Sequence, residues 1–135
     1  MKKLITLLIL IATVTCNAQV VMMKSDLASI KKTGEEVWED FDVDIVISYD
    51  MGEGIFEIDN RNKDVFIVRD ESSVVEALDS DGDKYNYWVL KCRDNKNKLA
   101  TLIYAIWEDY DIFSLYIEYG HGIYAYHGET VSYTI

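Results

Sequence analysis

The chain predicts an all-β fold with one or two short helices, built as a small antiparallel meander that forms a partly closed barrel or a two-layer curled sheet. Three observations carry this expectation. Residues Phe41 to Tyr49 alternate, with every odd position apolar and most even ones polar, the period of a half-buried strand. Further short apolar runs recur downstream, separated by polar clusters suited to turns. Between them no long helical period appears, which disfavours a parallel α/β sheet.

The elements follow in order. Lys2 and Lys3 precede an apolar run from Leu4, which decays through Thr15 into Cys16-Asn17-Ala18-Gln19. A positive start, a short hydrophobic stretch and a small residue at the cut site make a secretory signal peptide. Residues 1–18 are therefore read as the signal and 19–135 as one secreted or periplasmic domain. Leu4–Val14 falls short of the about 20 apolar residues of a membrane helix, and no later segment supplies a membrane span. A minor alternative is a lipid anchor on Cys16. Bacterial lipoprotein signals, which this segment resembles in general form, want a small residue just before the cysteine and a leucine three before it, where this chain has Thr15 and Thr13. The segment has the look of an exported bacterial protein, a resemblance confined to the signal.

Residues 24 to 33 read as a short amphipathic helix, with Ser25 as its cap, Leu27 and Ile30 three apart, and Gly34 at its exit. After the Phe41–Tyr49 strand, Ile55–Ile58 and Val65–Val68 flank the turn-forming run Asp59 to Asp64. Ser73 and Glu76 have capping-box spacing, so one short helix or turn is expected there. Tyr85–Cys92 and Leu99–Trp107 flank Arg93 to Lys98. Ile112–Tyr119 and Ile123–His127 join through Gly120-His121-Gly122, a hairpin signal, and Val131–Ile135 reads as an added edge. Six or seven strands result.

Removing residues 1–18 leaves 117 residues, enough for one domain. The signal holds two lysines and no acids, so 11 Lys+Arg face 24 Asp+Glu, a formal −13. Such a field repels phosphate backbones and excludes nucleic acid as a partner. It favours cationic partners, calcium included. Cys92 is then the sole cysteine, which rules out an internal disulfide. Its strand parity, shared with Trp88 and Leu90, makes it a buried thiol.

Nine of the ten tyrosines fall between Tyr85 and Tyr133. Several of these strands carry large side chains on both faces, more than a sheet with one wet face requires. Tyr85, Tyr87, Tyr116, Tyr124 and Tyr126 are therefore candidate binding residues, since tyrosine joins contact area to a hydroxyl. The same rings also suit the walls of a barrel.

The acidic run Glu35, Glu36, Glu39, Asp40, Asp42 and Asp44 reads as a solvated strand face. Asp79-Ser80-Asp81-Gly82-Asp83 resembles the start of an EF-hand calcium loop over five residues and then departs from it: Lys84 stands where that loop needs glycine, and Leu90 where it needs glutamate. A looser calcium site of Asp79, Asp81 and Asp83 remains a candidate beside a plain turn. His121 and His127 are the two histidines, too far apart along one segment to share a metal. No nucleophile elbow, phosphate loop or zinc motif is present, and no catalytic residue is assigned.

The functional expectation is a non-enzymatic secreted binding module that uses a tyrosine-rich surface with an acidic rim. Protein, especially a basic one, is the favoured partner, with carbohydrate second. Two alternatives are a structural or calcium-stabilised envelope protein, and a hydrolase whose site is assembled from distant strands.

Overall fold

The structure is a computed structural model that describes residues 20–60 and 63–134. The signal-peptide and Cys16 expectations lie outside the described residues. The described residues form nine strands: β1 (Val20–Lys32), β2 (Glu39–Asp50), β3 (Ile55–Asp59), β4 (Asp64–Glu71), β5 (Val75–Leu78), β6 (Lys84–Asp94), β7 (Leu99–Trp107), β8 (Ile112–Tyr119) and β9 (Gly122–Thr134). A single 3-10 turn, Glu108–Tyr110, links β7 to β8.

Consecutive strands pair antiparallel except β4 and β5, and the pairings β1–β9 and β4–β6 close the sheet. β1 pairs with β9 from Val20↔Thr134 to Lys32↔Gly122. β6 is long enough to serve two partners, with Lys84–Tyr87 paired to β5 and Leu90–Asp94 to β4. Eight strands thus form a closed up-and-down barrel, and β5 is the extra strand, attached on one side only. The meander and barrel expectation holds, with more strands than the six or seven read from the sequence.

Both helices expected from the sequence are strands. Residues 24–33 lie mostly in β1, whose register shifts against both neighbours at a β-bulge between Ser25 and Leu27; Leu27 and Ile30, three apart, lie after it on opposite faces of the strand. Before the bulge Val21, Met23 and Ser25 point inward; after it the inward positions are Ala28 and Ile30, opposite Tyr126 and Tyr124. One extra residue breaks period two without starting period 3.6. Ser25, fully buried, is no helix cap: its hydroxyl donates to the carbonyls of Leu27 (3.0 Å) and His127 (2.9 Å) across the bulge. Val75–Leu78 pairs with Tyr87–Lys84, so ladder bonds win over the capping box. Val131 to Thr134 continue β9 against β1 and form no separate edge.

Eight strands enclose a space just wide enough for side chains to fill. Here large ones fill it. Phe56, Phe66, Phe113, Met23, Leu90, Leu102 and Leu115 are all essentially inaccessible to solvent. Tyr49 stacks on Phe56 at 3.9 Å and 7°, and Tyr104 meets Phe56 edge-on at 5.6 Å, geometries that favour the aromatic quadrupoles. Cys92 lies in this core, and burial pushes its thiol up to about 12.

The up-and-down course gathers the connections at two poles. One pole carries the β1–β2, β3–β4, β6–β7 and β8–β9 turns; the other carries the β2–β3 turn, the excursion through β5 and the 3-10 turn.

Candidate functional site

Strand pairing decides which tyrosines meet. Tyr87, Ala105, Ser114, His127 and Leu27 form one rung across five strands on the outer face. Ile103, Tyr116, Ala125 and Ser29 form the next rung. Tyr85, Tyr87 and Tyr116 therefore look outward. Tyr124 and Tyr126 lie on the opposite parity and pack against the core. The five candidate tyrosines thus divide between two places.

On the outer face, Tyr85 stacks on Trp107 at 4.8 Å and 23°, and on Tyr87 at 5.9 Å and 30°. Directly opposite pairs on neighbouring strands bring side chains into contact, which is how β6 and β7 build this row. Beside it, between β5 and the 3-10 turn, runs an open groove of about 390 Å³ in which Glu76, Glu108 and Asp109 face the single cation Lys84. Tyr116 stands further round the barrel, edge-on to Trp38 (6.5 Å) and to His127 (5.8 Å). The His127 Nδ1 lies 2.7 Å from the hydroxyl of Ser114. Desolvation lowers the His127 pKa, against the opposing pull of Asp40 and Asp26.

The second place is the pole of turns, where an open bowl of about 340 Å³ sits over the packed core. Its floor is Ile30, Phe66 and Ile117. Tyr119 stacks on His121 at 5.1 Å and 14°, and Tyr124 stands edge-on to both rings while its hydroxyl lies 3.2 Å from His121 Nε2. Tyr119 donates to Asp94 (3.1 Å), and Asn60 donates to Asp64 (2.7 Å). Burial raises the Asp94 pKa, but amide bonds from Lys98 and Lys96 and the Tyr119 hydroxyl outweigh it and hold the carboxyl below the usual range. Desolvation, with the Asp94 charge, pushes the Tyr119 phenol far up. Desolvation also raises Tyr126, which bonds Asn60.

The sequence pointed to Tyr124 and Tyr126 here but missed Tyr119, His121, Asn60, Asp64 and Asp94. Those residues end strands or flank turns at one pole of an up-and-down course, a signal visible only once strand direction is tracked through every hairpin.

Asp79, Asp81 and Asp83 offer oxygens within 4.8 Å of one another, a group able to hold a metal ion. Much of their capacity serves the turn. One Asp79 oxygen accepts the amides of Asp81 and Asp83, both at 2.9 Å; the other accepts Trp107 Nε1 at 3.0 Å. Asp83 accepts the Tyr110 hydroxyl at 2.9 Å. The bond from Asp83 is the first cause of a lowered Asp79 pKa. The triad therefore also anchors Trp107 at the end of the aromatic row.

The acidic run through β2 lies on the outside. Asp40 accepts the Ser29 hydroxyl at 2.7 Å, and Asp44 approaches Lys24 at 3.6 Å with both side chains largely exposed, a pairing worth little in water. Among the described residues no helix is long and apolar enough to cross a membrane.

No protein-family model, no curated protein and no solved structure matches the chain.

Proposed function

We propose that the chain is an exported, non-enzymatic binding module that docks a basic protein segment on the outer face of β5–β7. The observation that carries this is the stacked row Tyr87–Tyr85–Trp107 beside a groove whose acids outnumber its lysine. A packed barrel has no structural need for such rings on its outside. Aromatic faces attract guanidinium and ammonium groups, and carboxylates bind them in charge-assisted hydrogen bonds. The formal charge of −11 on the whole chain steers cations toward it. β5 adds a means of holding an extended segment: among the described residues it pairs only with β6, so its other edge offers backbone donors and acceptors for strand addition.

The test uses a synthetic ten-residue peptide of alternating arginine and valine, followed by fluorescence anisotropy against the full chain. Saturable binding is expected, weakening as salt shortens the Debye length from about 10 Å at 0.1 M to about 3 Å at 1 M. Tyr85→Ala and Glu108→Lys should each weaken it without moving the melting temperature. Equal binding by both variants, or preference for an alternating Glu-Val peptide, overturns the proposal.

A second reading rests on the aspartate triad, whose hard oxygen donors suit calcium. A calcium-stabilised protein melts higher in calcium than in EDTA, and Asp81→Asn abolishes the difference. Export is tested by sequencing the N-terminus of secreted material. Gln19 as first residue supports cleavage after Ala18, a lipidated Cys16 supports the anchor, and retained Met1 refutes both.

A further inference from the structure

The bowl at the pole of turns has a chemistry different from the rest of the protein, and we infer that it is a binding site for a neutral sugar of one or two rings. The inference is independent of the outer-face proposal.

Its charge comes first. The chain carries almost two acids for each base, yet among the described residues the bowl sets Asp64 and Asp94 against Lys96 and Lys98. A balanced site has no net attraction for a cation or an anion. What it offers instead is mixed hydrogen bonding. Carboxylates accept, ammonium groups and the Asn60 amide donate, and the tyrosine hydroxyls do both. A sugar hydroxyl also donates and accepts at once, so this mixture suits a polyol.

Its shape comes second. At about 340 Å³ the bowl lies at the small end of ligand pockets. Below it the barrel is filled by Phe66, Phe56 and Phe113, so no deep apolar shaft is open to an acyl chain. A ligand must sit shallowly and present both an apolar face and polar edges. Sugar rings do this, with C–H groups on the face and hydroxyls around the rim.

The walls come third. Tyr119, His121 and Tyr124 are already locked against one another by stacking, edge contact and the hydroxyl–imidazole bond. Tyr119 is tied to Asp94 from behind. Rings held in place beforehand lose little freedom when a ligand arrives. Tyr124 supplies the stacking face, and Asp64 and Asp94 accept hydroxyls at its edge.

The experiment titrates the isotopically labelled full chain with cellobiose, maltose, lactose and chitobiose, following backbone amide shifts. At least one sugar should give saturable shifts centred on Gly120, His121 and Gly122, with a Kd of about 1 mM, equivalent to about −4 kcal/mol. Tyr124→Ala should weaken binding roughly tenfold, the scale of one lost aromatic contact. Asp64→Asn should weaken it several-fold. Tyr124→Phe keeps the ring and should bind nearly as well as the native chain, which preserves the test should the alanine variant not fold. Tyr85→Ala, on the outer face, should leave sugar binding unchanged, so failure of one site is separable from failure of the other. The inference is overturned by the absence of shifts with all four sugars, by undiminished binding in Tyr124→Ala or Asp64→Asn, or by stronger binding of choline, inorganic phosphate or octanoate at the same amides.

Discussion

Gly128 is the position where the barrel seam is most exacting. It lies on β9 opposite Ser25, at the bulge where β1 changes parity. A Cβ built there would run into the backbone oxygen of Lys24 and come within 2.8 Å of Ser25 Cα. These are backbone atoms in a paired strand, with no flexible side chain to yield. In Gly128→Ala the two strands must separate locally. Overpacking alone costs about 1–3 kcal/mol. Breaking one or two of the surrounding hydrogen bonds, including those of the Ser25 hydroxyl, adds about 1 kcal/mol each. The sum of about 2–5 kcal/mol is a large fraction of the 5–15 kcal/mol of a typical domain. At about 4 °C per kcal/mol for a domain of this size, the melting temperature should fall by about 8–20 °C. Gly120→Ala is the control: nothing lies within 4 Å of its Cβ, so its effect should stay within about 0.5 kcal/mol. Circular dichroism melts of the two variants decide the matter. A Gly128→Ala protein that melts within about 2 °C of the native chain refutes the bulge register and with it the β1–β9 closure.

Other predictions concern titration and reactivity. Cys92 should resist a thiol reagent at pH 8 in the native protein and react at once in denaturant, because it is buried with a thiol pushed up to about 12. At high pH the fold should weaken. The Tyr49 phenol is raised to about 12 by burial and then by the charge of Glu71, so above pH 10 the unfolded chain loses this proton while the folded one keeps it, and stability falls up to pH 12. Denaturant melts from pH 8 to 12 should show the decline, and Tyr49→Phe should flatten it. At the acid end, desolvation depresses His127; below its ordinary pKa the unfolded chain takes up a proton that the folded chain refuses, so stability falls with pH. His127→Gln should remove that part of the slope between pH 7 and 5. Asp79→Asn should loosen Trp107 and red-shift its fluorescence, since the indole loses its anionic acceptor.

Much of the barrel was legible because alternation is a local property. Phe41–Tyr49 and the three hairpins after Ile55 announce themselves within a few residues. β1 was not legible, since a bulge moves the inward positions from Met23 and Ser25 to Ala28 and Ile30, and the outward Leu27 and inward Ile30 stand at helical spacing. β5 was hidden for another reason: four residues are too few to show a period, and its strand character comes from pairing with Tyr85 and Tyr87. The bowl was hardest, because its members are distant in sequence. Asp64, Asp94 and His121 lie in or beside three different turns, and only the alternating direction of eight strands brings them to one pole.

Val20 and Thr134 sit side by side as the first and last described pair of the seam, at the pole opposite the bowl. Both ends of the domain therefore leave from the same side. A tether, fusion partner or solid support joined to either end would hold the molecule by its closed base and leave the bowl turned toward solution, like a cup set down on its foot. The same adjacency makes a linker between the ends short. The barrel could be reopened at the β2–β3 turn, Met51 to Gly54, as a circular permutant with every rung of the ladder retained.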